Sequence, residues 1–194
     1  MEKLSKSTVV LASKSPRRRE LLQSIGVNVD VRPIEVEENY PQHLSAPETA
    51  LFLAALKASA CPAPAPGEIW LTSDTVVSVS GQILGKPADK KEALKMLRLL
   101  SGKKHEVITA VCLRSDRMQR SFYETTRVTF KRLTTAELHY YIDTYKPYDK
   151  AGAYGIQEWI GMIGIEKIKG CYYNVMGLPL NKVYTTLSEF HLPE

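Results

Sequence analysis

The stretch Ile69-Trp70-Leu71-Thr72-Ser73-Asp74-Thr75-Val76-Val77-Ser78-Val79 sets a single acid in the middle of the most strand-like run of the chain. β-Branched and aromatic residues at this density favour a pleated, half-buried or buried strand, so any fold must be built around a sheet that contains it. An unpartnered carboxylate in such a place costs several kcal/mol. Asp74 is therefore expected to be paired, metal-bound or catalytic. Ser80-Gly81 turns the chain back through Ile83-Leu84, giving a hairpin that ends at Gly85-Lys86-Pro87. The stiff turn around Lys86 can hold an ammonium in one place.

Upstream, Val9-Val10-Leu11-Ala12 reads as a short strand, and Ser13-Lys14-Ser15 hands it over to a helix that starts at Pro16. Leu21, Leu22 and Ile25 give that helix its apolar side, and Gly26 stops it, for a length of about ten residues. Arg17, Arg18 and Arg19 fall in its first turn. Cations there oppose the helix macrodipole at roughly 0.3–1 kcal/mol each, so the arrangement calls for an anion. Free N–H groups, the Ser15 hydroxyl and guanidinium forks can surround phosphate oxygens. Val27, Val29 and Val31 alternate as a half-buried strand, and Pro33 leads into Glu35-Val36-Glu37-Glu38.

Ser45-Ala46-Pro47-Glu48 has capping-box spacing and opens an alanine-rich helix with Lys57 in its last turns. Residues 61–67, with three prolines, form a stiff connection rather than a domain linker. Asp89 with Glu92 and Thr134 with Glu137 repeat the capping pattern, the second helix running through Tyr141 and Ile142. Between them lie two long strands, Val107 to Leu113 and Phe122 to Phe130. The tail is expected to alternate glycine-rich loops with short strands and to end in a helix after Pro179. Mixed strands and helices of this kind imply α/β or α+β with an extended sheet.

With 194 residues, 44% of them hydrophobic, the chain can build one core or two small lobes without disulfide or metal staples. Cys61, Cys112 and Cys171 are scattered and read as free thiols. No apolar run approaches the ~20 residues of a membrane helix, and the first six residues lead into a strand rather than a signal segment, so a cytoplasmic protein with no membrane partner is expected. The net charge is +5, and residues 1–20 carry six cations against two acids. A cationic cluster so local suits a phosphate-bearing ligand or a basic arm for nucleic acid. Walker, dinucleotide, nucleophile-elbow and zincin motifs are absent, and the four histidines are far apart in sequence. What remains is an inventory of arginines, lysines and carboxylates suited to phosphate and magnesium. Asp149-Lys150-Ala151-Gly152-Ala153-Tyr154-Gly155-Ile156-Gln157 adds glycines that let backbone approach a ligand and one amide able to donate and accept.

Leu11 to Leu22, Ser73-Asp74-Thr75-Val76-Val77, Gly85-Lys86-Pro87 and Asp149 to Gln157 stand in the order found in the Maf family, and the chain resembles its dTTP/UTP pyrophosphatase branch from about Val9 to Leu187. The resemblance implies a single Maf-like domain over residues 1–194. Its fold would be α/β and two-lobed, an elongated mixed β-sheet flanked by helices like that of inosine triphosphate pyrophosphatases, with the active cleft between the lobes. It implies hydrolysis of a nucleoside triphosphate substrate, dTTP or UTP, to the monophosphate and pyrophosphate with a divalent metal cation, Mg or Mn. By motif position Ser15, Arg17, Arg18, Lys57 and Lys86 would hold phosphates, Glu38 and Asp74 would bind metal or activate water, and Thr75 and Gln157 would face the base. The likeness also allows a homodimer. Competing readings are a pyrophosphatase for modified or non-canonical nucleotides, a nucleic-acid-binding module and a cell-division regulator. Nucleic-acid binding leaves Asp74 unexplained and is disfavoured. Thr72-Ser73 before Asp74 and Trp159-Ile160-Gly161 after Gln157 depart from the common family pattern and bear on pocket shape.

Overall fold

A computed structural model describes residues 7–190, so residues 1–6, with Lys3 and Lys6 of the cationic cluster and the expected lead into a strand, lie outside the described residues, as does His191. The buried run Val9-Val10-Leu11 forms β1 (Thr8–Leu11), paired in parallel with β2 (Asn28–Val31) on one side and β3 (Glu68–Val79) on the other. A strand with neighbours on both edges and apolar on both faces reads as the continuous apolar run seen here. β3 turns into β4 (Gln82–Leu84) as an antiparallel hairpin, and Ser80 and Gly81 both take positive φ, 50° and 81°. Two left-handed residues make the turn whose twist matches a two-residue hairpin.

β5 (Lys104–Arg114) extends the first expected strand at both ends, β6 (Gln119–Phe130) starts three residues before the second and ends with it at Phe130, and β7 (Ile165–Lys169) pairs antiparallel with β6. The strand order is β2-β1-β3-β5-β6-β7, with β4 on β3, a mixed seven-stranded sheet among the described residues. The helices are α1 (Pro16–Ser24), α2 (Ala46–Ser59), α3 (Lys90–Leu100), α4 (Thr135–Tyr145), α5 (Trp159–Gly164), α6 (Tyr172–Met176) and α7 (Leu180–Glu189). Their caps follow the sequence. Glu48 accepts from the Ser45 N–H at 2.8 Å, Asp89 from the Glu92 N–H at 2.8 Å, and Glu137 from the Thr134 N–H at 2.6 Å. Among the described residues no helix is long and apolar enough to cross a membrane.

The tail carries the expected short strand, β7, and the expected helix after Pro179, α7, but the short helices α5 and α6 stand where the glycine-rich sequence reads as loop. Gly161 and Gly164 sit inside α5 rather than in loops. A Cβ on Gly161 would stand 1.9 Å from the Ile156 carbonyl oxygen, and one on Gly164 would stand 3.2 Å from Leu133 Cδ2. These glycines let a short helix pack closely, a use that a turn signal read from composition does not distinguish.

The chain divides into two compact units. The first takes the described residues through Asp74, Thr109–Glu124 and the described residues from Gly177 onward; the second takes Thr75–Ile108 and Thr125–Met176. In the first, Val10, Ala12, Cys61 and Trp70 pack together with Ile34, and the Arg32 guanidinium lies 5.8 Å from the Trp70 ring centre. The second has its own core, in which Val77, Leu97, Leu100, Phe130, Tyr141 and Ile160 are among the buried members.

Candidate active site

Within the first unit, the spacing of side chains along β3 and α2 brings the charged groups together. The Thr72 hydroxyl on β3 donates to the Ala54 carbonyl of α2 at 2.7 Å. Side chains two apart on a strand share a face, so Asp74 points the same way as Thr72. Residues three apart on a helix are neighbours, so Lys57 lies beside Ala54. The result is an ion pair, with Lys57 Nζ 2.5 Å from Asp74 Oδ1, both side chains only 12% exposed. The same ammonium lies 2.8 Å from Glu38 Oε1, and the Glu38 side chain is 46% exposed. One buried acid and one solvent-reaching acid thus share a single cation.

The end of β1 feeds α1. Ala12 N–H donates to Leu71 O at 2.9 Å, keeping residue 12 on the sheet, after which the Ser15 N–H finds Ser13 Oγ at 3.2 Å. Ser15 is the N-cap of α1 in an extended conformation, its side chain makes no capping hydrogen bond, and the first turn holds no acid. The helix therefore opens with Pro16 and the three arginines as the sequence implied. Arg18 reaches furthest: its Nε donates to Gly177 O at 3.0 Å and its Nη1 to Ser73 O at 2.9 Å. Burial lowers the affinity of this guanidinium for its proton, Asp74 and Glu38 oppose that, and Arg17 adds to it. A guanidinium stays charged under such a shift, so Arg18 is a fixed cation clamped to the carbonyl that precedes Asp74. Arg17 is half-buried beside it, while Arg19 is exposed.

The remaining candidates, Thr75, Lys86 and Gln157, belong to the second unit. Lys86 is exposed, and its turn is tied to the glycine-rich segment by Gly152 N–H donating to Gly85 O at 2.9 Å. Gly152 takes φ 68° with its would-be Cβ 3.0 Å from Val77 Cγ2, so only glycine fits there. Gln157 Oε1 is buried and has no hydrogen-bond partner among the described residues. Buried amide oxygens rarely stay so, which marks this one as an acceptor awaiting a donor.

Three participants escaped sequence reading. Lys150 is buried and pairs with Asp149 at 2.7 Å and with Glu158 Oε1 at 3.0 Å, and Tyr141 donates to Glu158. Lys150 and Glu158 bracket the glycine-rich segment as opposite charges, a signal open to notice, whereas Tyr141 looks like one more apolar position of α4.

Among the described residues no cluster of three or more His, Cys, Asp and Glu side chains is suited to a metal ion. Glu38 and Asp74 nevertheless bring two carboxylates within hydrogen-bonding distance of one ammonium nitrogen. Such a pair of hard oxygen donors fits Mg²⁺ or Mn²⁺, since Mg²⁺ is commonly held by one or two carboxylates with substrate phosphates and water completing the shell.

The family model described as Maf-like protein matches residues 8–190. A dTTP/UTP pyrophosphatase of Phocaeicola vulgatus is 49% identical over 191 residues, covering 97% of this chain and 99% of that protein. Another from Cytophaga hutchinsonii is 46% identical over 191 residues, covering 98% and 88%. In three dimensions the chain is similar to a HAM1 protein from Coxiella burnetii, with a TM-score of 0.50 and 16% identity over 94% of this chain and 99% of that one, a likeness of fold.

Proposed function

Because the chain belongs to the Maf-like family, we propose that it is a nucleoside triphosphate pyrophosphatase that hydrolyses dTTP and UTP to the nucleoside monophosphate and pyrophosphate. The observation that carries this reading is the sharing of Lys57 between Asp74 and Glu38, with the Arg18 guanidinium on the carbonyl just before Asp74. Cations and acids so placed suit a reaction in which charge builds on phosphate oxygens while water is deprotonated.

A nucleoside triphosphate carries about four negative charges, so the barrier to attack at the α-phosphorus is largely electrostatic. Arg17, Arg18, Lys57 and Lys86 oppose that charge, and the Ser15 hydroxyl with the N–H groups opening α1 takes phosphate oxygens. Glu38 and Asp74 would hold a divalent cation, Mg²⁺ or Mn²⁺, which supplies charge neutralisation and a more acidic water. The Asp74 carboxylate orients the attacking water and accepts its proton. The water oxygen forms a bond to the α-phosphorus, the bond from that phosphorus to the α–β bridging oxygen breaks, and pyrophosphate leaves.

The uracil and thymine edge offers acceptor, N3–H donor and acceptor. Gln157 Oε1, buried without a partner, accepts from N3–H, and its Nε2 donates to O4. Thr75 faces the base as a second contact.

The test is pyrophosphate release from a panel of canonical and modified nucleoside triphosphates with Mg²⁺ or Mn²⁺, wild type beside Asp74→Asn. Release from dTTP and UTP that disappears in the variant supports both reaction and site. Faster release from a modified nucleotide moves the substrate assignment, and a silent panel with salt-sensitive nucleic-acid binding overturns the reading.

A further inference from the structure

An amide side chain reads a pyrimidine only if it is kept from turning over. Oxygen and nitrogen ends swapped, Gln157 suits the N4 donor and N3 acceptor of cytosine as well as it suits uracil. Gln157 has no partner for its buried Oε1, so what fixes it must act through the backbone that carries it.

That backbone is tied at both ends to one phenol. The Gly155 N–H donates to the Tyr141 oxygen at 3.0 Å, and the Tyr141 hydroxyl donates to the Glu158 carboxylate. Lys150 Nζ holds the other carboxylate oxygen of Glu158 at 3.0 Å, and the Glu158 N–H returns to Gly155 O at 3.1 Å. Ile156 and Gln157 therefore sit in a loop whose two flanking residues converge on Tyr141. The space around the loop is closed: a Cβ on Gly155 would stand 2.8 Å from Glu158 Cδ. Tyr141 itself is fully buried on α4 and stacks on Tyr145, ring centres 5.2 Å apart and 25° from parallel. Burial and the Glu158 carboxylate push the phenol far above its ordinary range, so it keeps its proton and donates to Glu158 throughout the working pH range.

We propose that Tyr141, through Glu158 and Gly155, is a positioning residue for base recognition, holding the Gln157 amide in the orientation that accepts uracil or thymine and rejects cytosine. This rests on the reading of Gln157 given above. Removing the hydroxyl leaves the Gly155 N–H and one Glu158 oxygen without their shared partner and lets the loop carrying Gln157 drift.

The experiment is a set of kcat and KM values for UTP, dTTP and CTP in wild type, Tyr141→Phe, Gln157→Ala and the double variant. Tyr141→Phe is expected to raise KM for UTP about tenfold, the equivalent of one lost hydrogen bond, with kcat changed far less and CTP little affected. The ratio of UTP to CTP specificity then falls, and the double variant is no less selective than Gln157→Ala alone, because both changes remove one unit. Selectivity lost in Gln157→Ala but kept in Tyr141→Phe overturns the inference and leaves the base reading standing. Selectivity kept in Gln157→Ala removes the base reading itself, and an equal loss for all three nucleotides in Tyr141→Phe assigns Tyr141 a merely structural role. Should Tyr141→Phe not fold, Glu158→Ala supplies the same comparison, since it removes the acceptor of the Tyr141 hydroxyl and so unties that end of the loop, while Lys150 keeps its pairing with Asp149.

Discussion

Lys57 and Asp74 are seventeen residues apart in sequence, and their side chains meet at 2.5 Å in a mostly buried pair. The Thr72 hydroxyl donates to Ala54 O one helical turn before Lys57, joining helix and strand beside the pair. Removing one member of such a pair leaves the other charged in a poor solvent. Lys57→Met is expected to destabilise the protein by about 3 kcal/mol, read as a lower urea midpoint. Adding Asp74→Asn to that variant restores part of the loss, because the stranded charge is gone. A double variant no more stable than Lys57→Met would show that the nearby Arg18 guanidinium or solvent already compensates Asp74.

Asp74→Asn alone keeps the shape of the side chain and gives up the proton acceptor. Turnover of dTTP and UTP is expected to fall ~10²–10⁴-fold with the circular dichroism spectrum unchanged. Pyrophosphate release near the wild-type rate would take the role away from Asp74.

His105 gives a pH dependence that is independent of the chemistry. Its Nε2 lies 2.7 Å from the Tyr154 hydroxyl, and its ring stands edge-on to Phe130 and Tyr154 at 5.2 and 5.4 Å. Burial lowers the imidazole from 6.5 to about 4. Between those values the unfolded chain binds a proton that the native chain does not, so this contribution to stability is complete above pH 6.5 and is lost as the pH falls. At pH 5 the loss is about 2 kcal/mol. Urea unfolding of wild type and His105→Gln at pH 7.5 and 5 is expected to show a smaller drop in the variant, and equal drops would place the acid sensitivity elsewhere.

Gly161→Ala introduces a methyl 1.9 Å from the Ile156 carbonyl oxygen, a backbone atom next to Gln157 that has nowhere to retreat. A loss of about 2 kcal/mol or more is expected, seen as a lower melting temperature together with a raised KM for UTP. Gly26→Ala offers the contrast, since a Cβ there meets nothing within 4 Å and only the positive φ of 75° resists it.

Local chemistry was readable and distant chemistry was not. Asp74 announced itself because a carboxylate inside an apolar strand has few affordable states, and the arginines of α1 because they oppose a dipole a few ångströms away. The carboxylates of Glu48, Glu92 and Glu137 lie three residues from their caps and leave a fixed spacing. Arg18 on Gly177 O, 159 residues along the chain, leaves none. Glu38 stands in a run of acids whose spacing marks no partner, and only the fold brings Lys57 of α2 to it. Tyr141 was hidden differently, since its ring satisfies the apolar period of α4 and its hydroxyl, the part that matters to Glu158 and Gly155, has no period at all.

Helix α1 begins with cations and no acid in its first turn. Under the proposed chemistry, the groups that draw in a triphosphate meet a product, pyrophosphate, that is itself a multiply charged anion. The electrostatics that favour cleavage also oppose departure, so escape of the spent phosphates is expected to weigh on turnover beside bond breaking, and added pyrophosphate is expected to slow it.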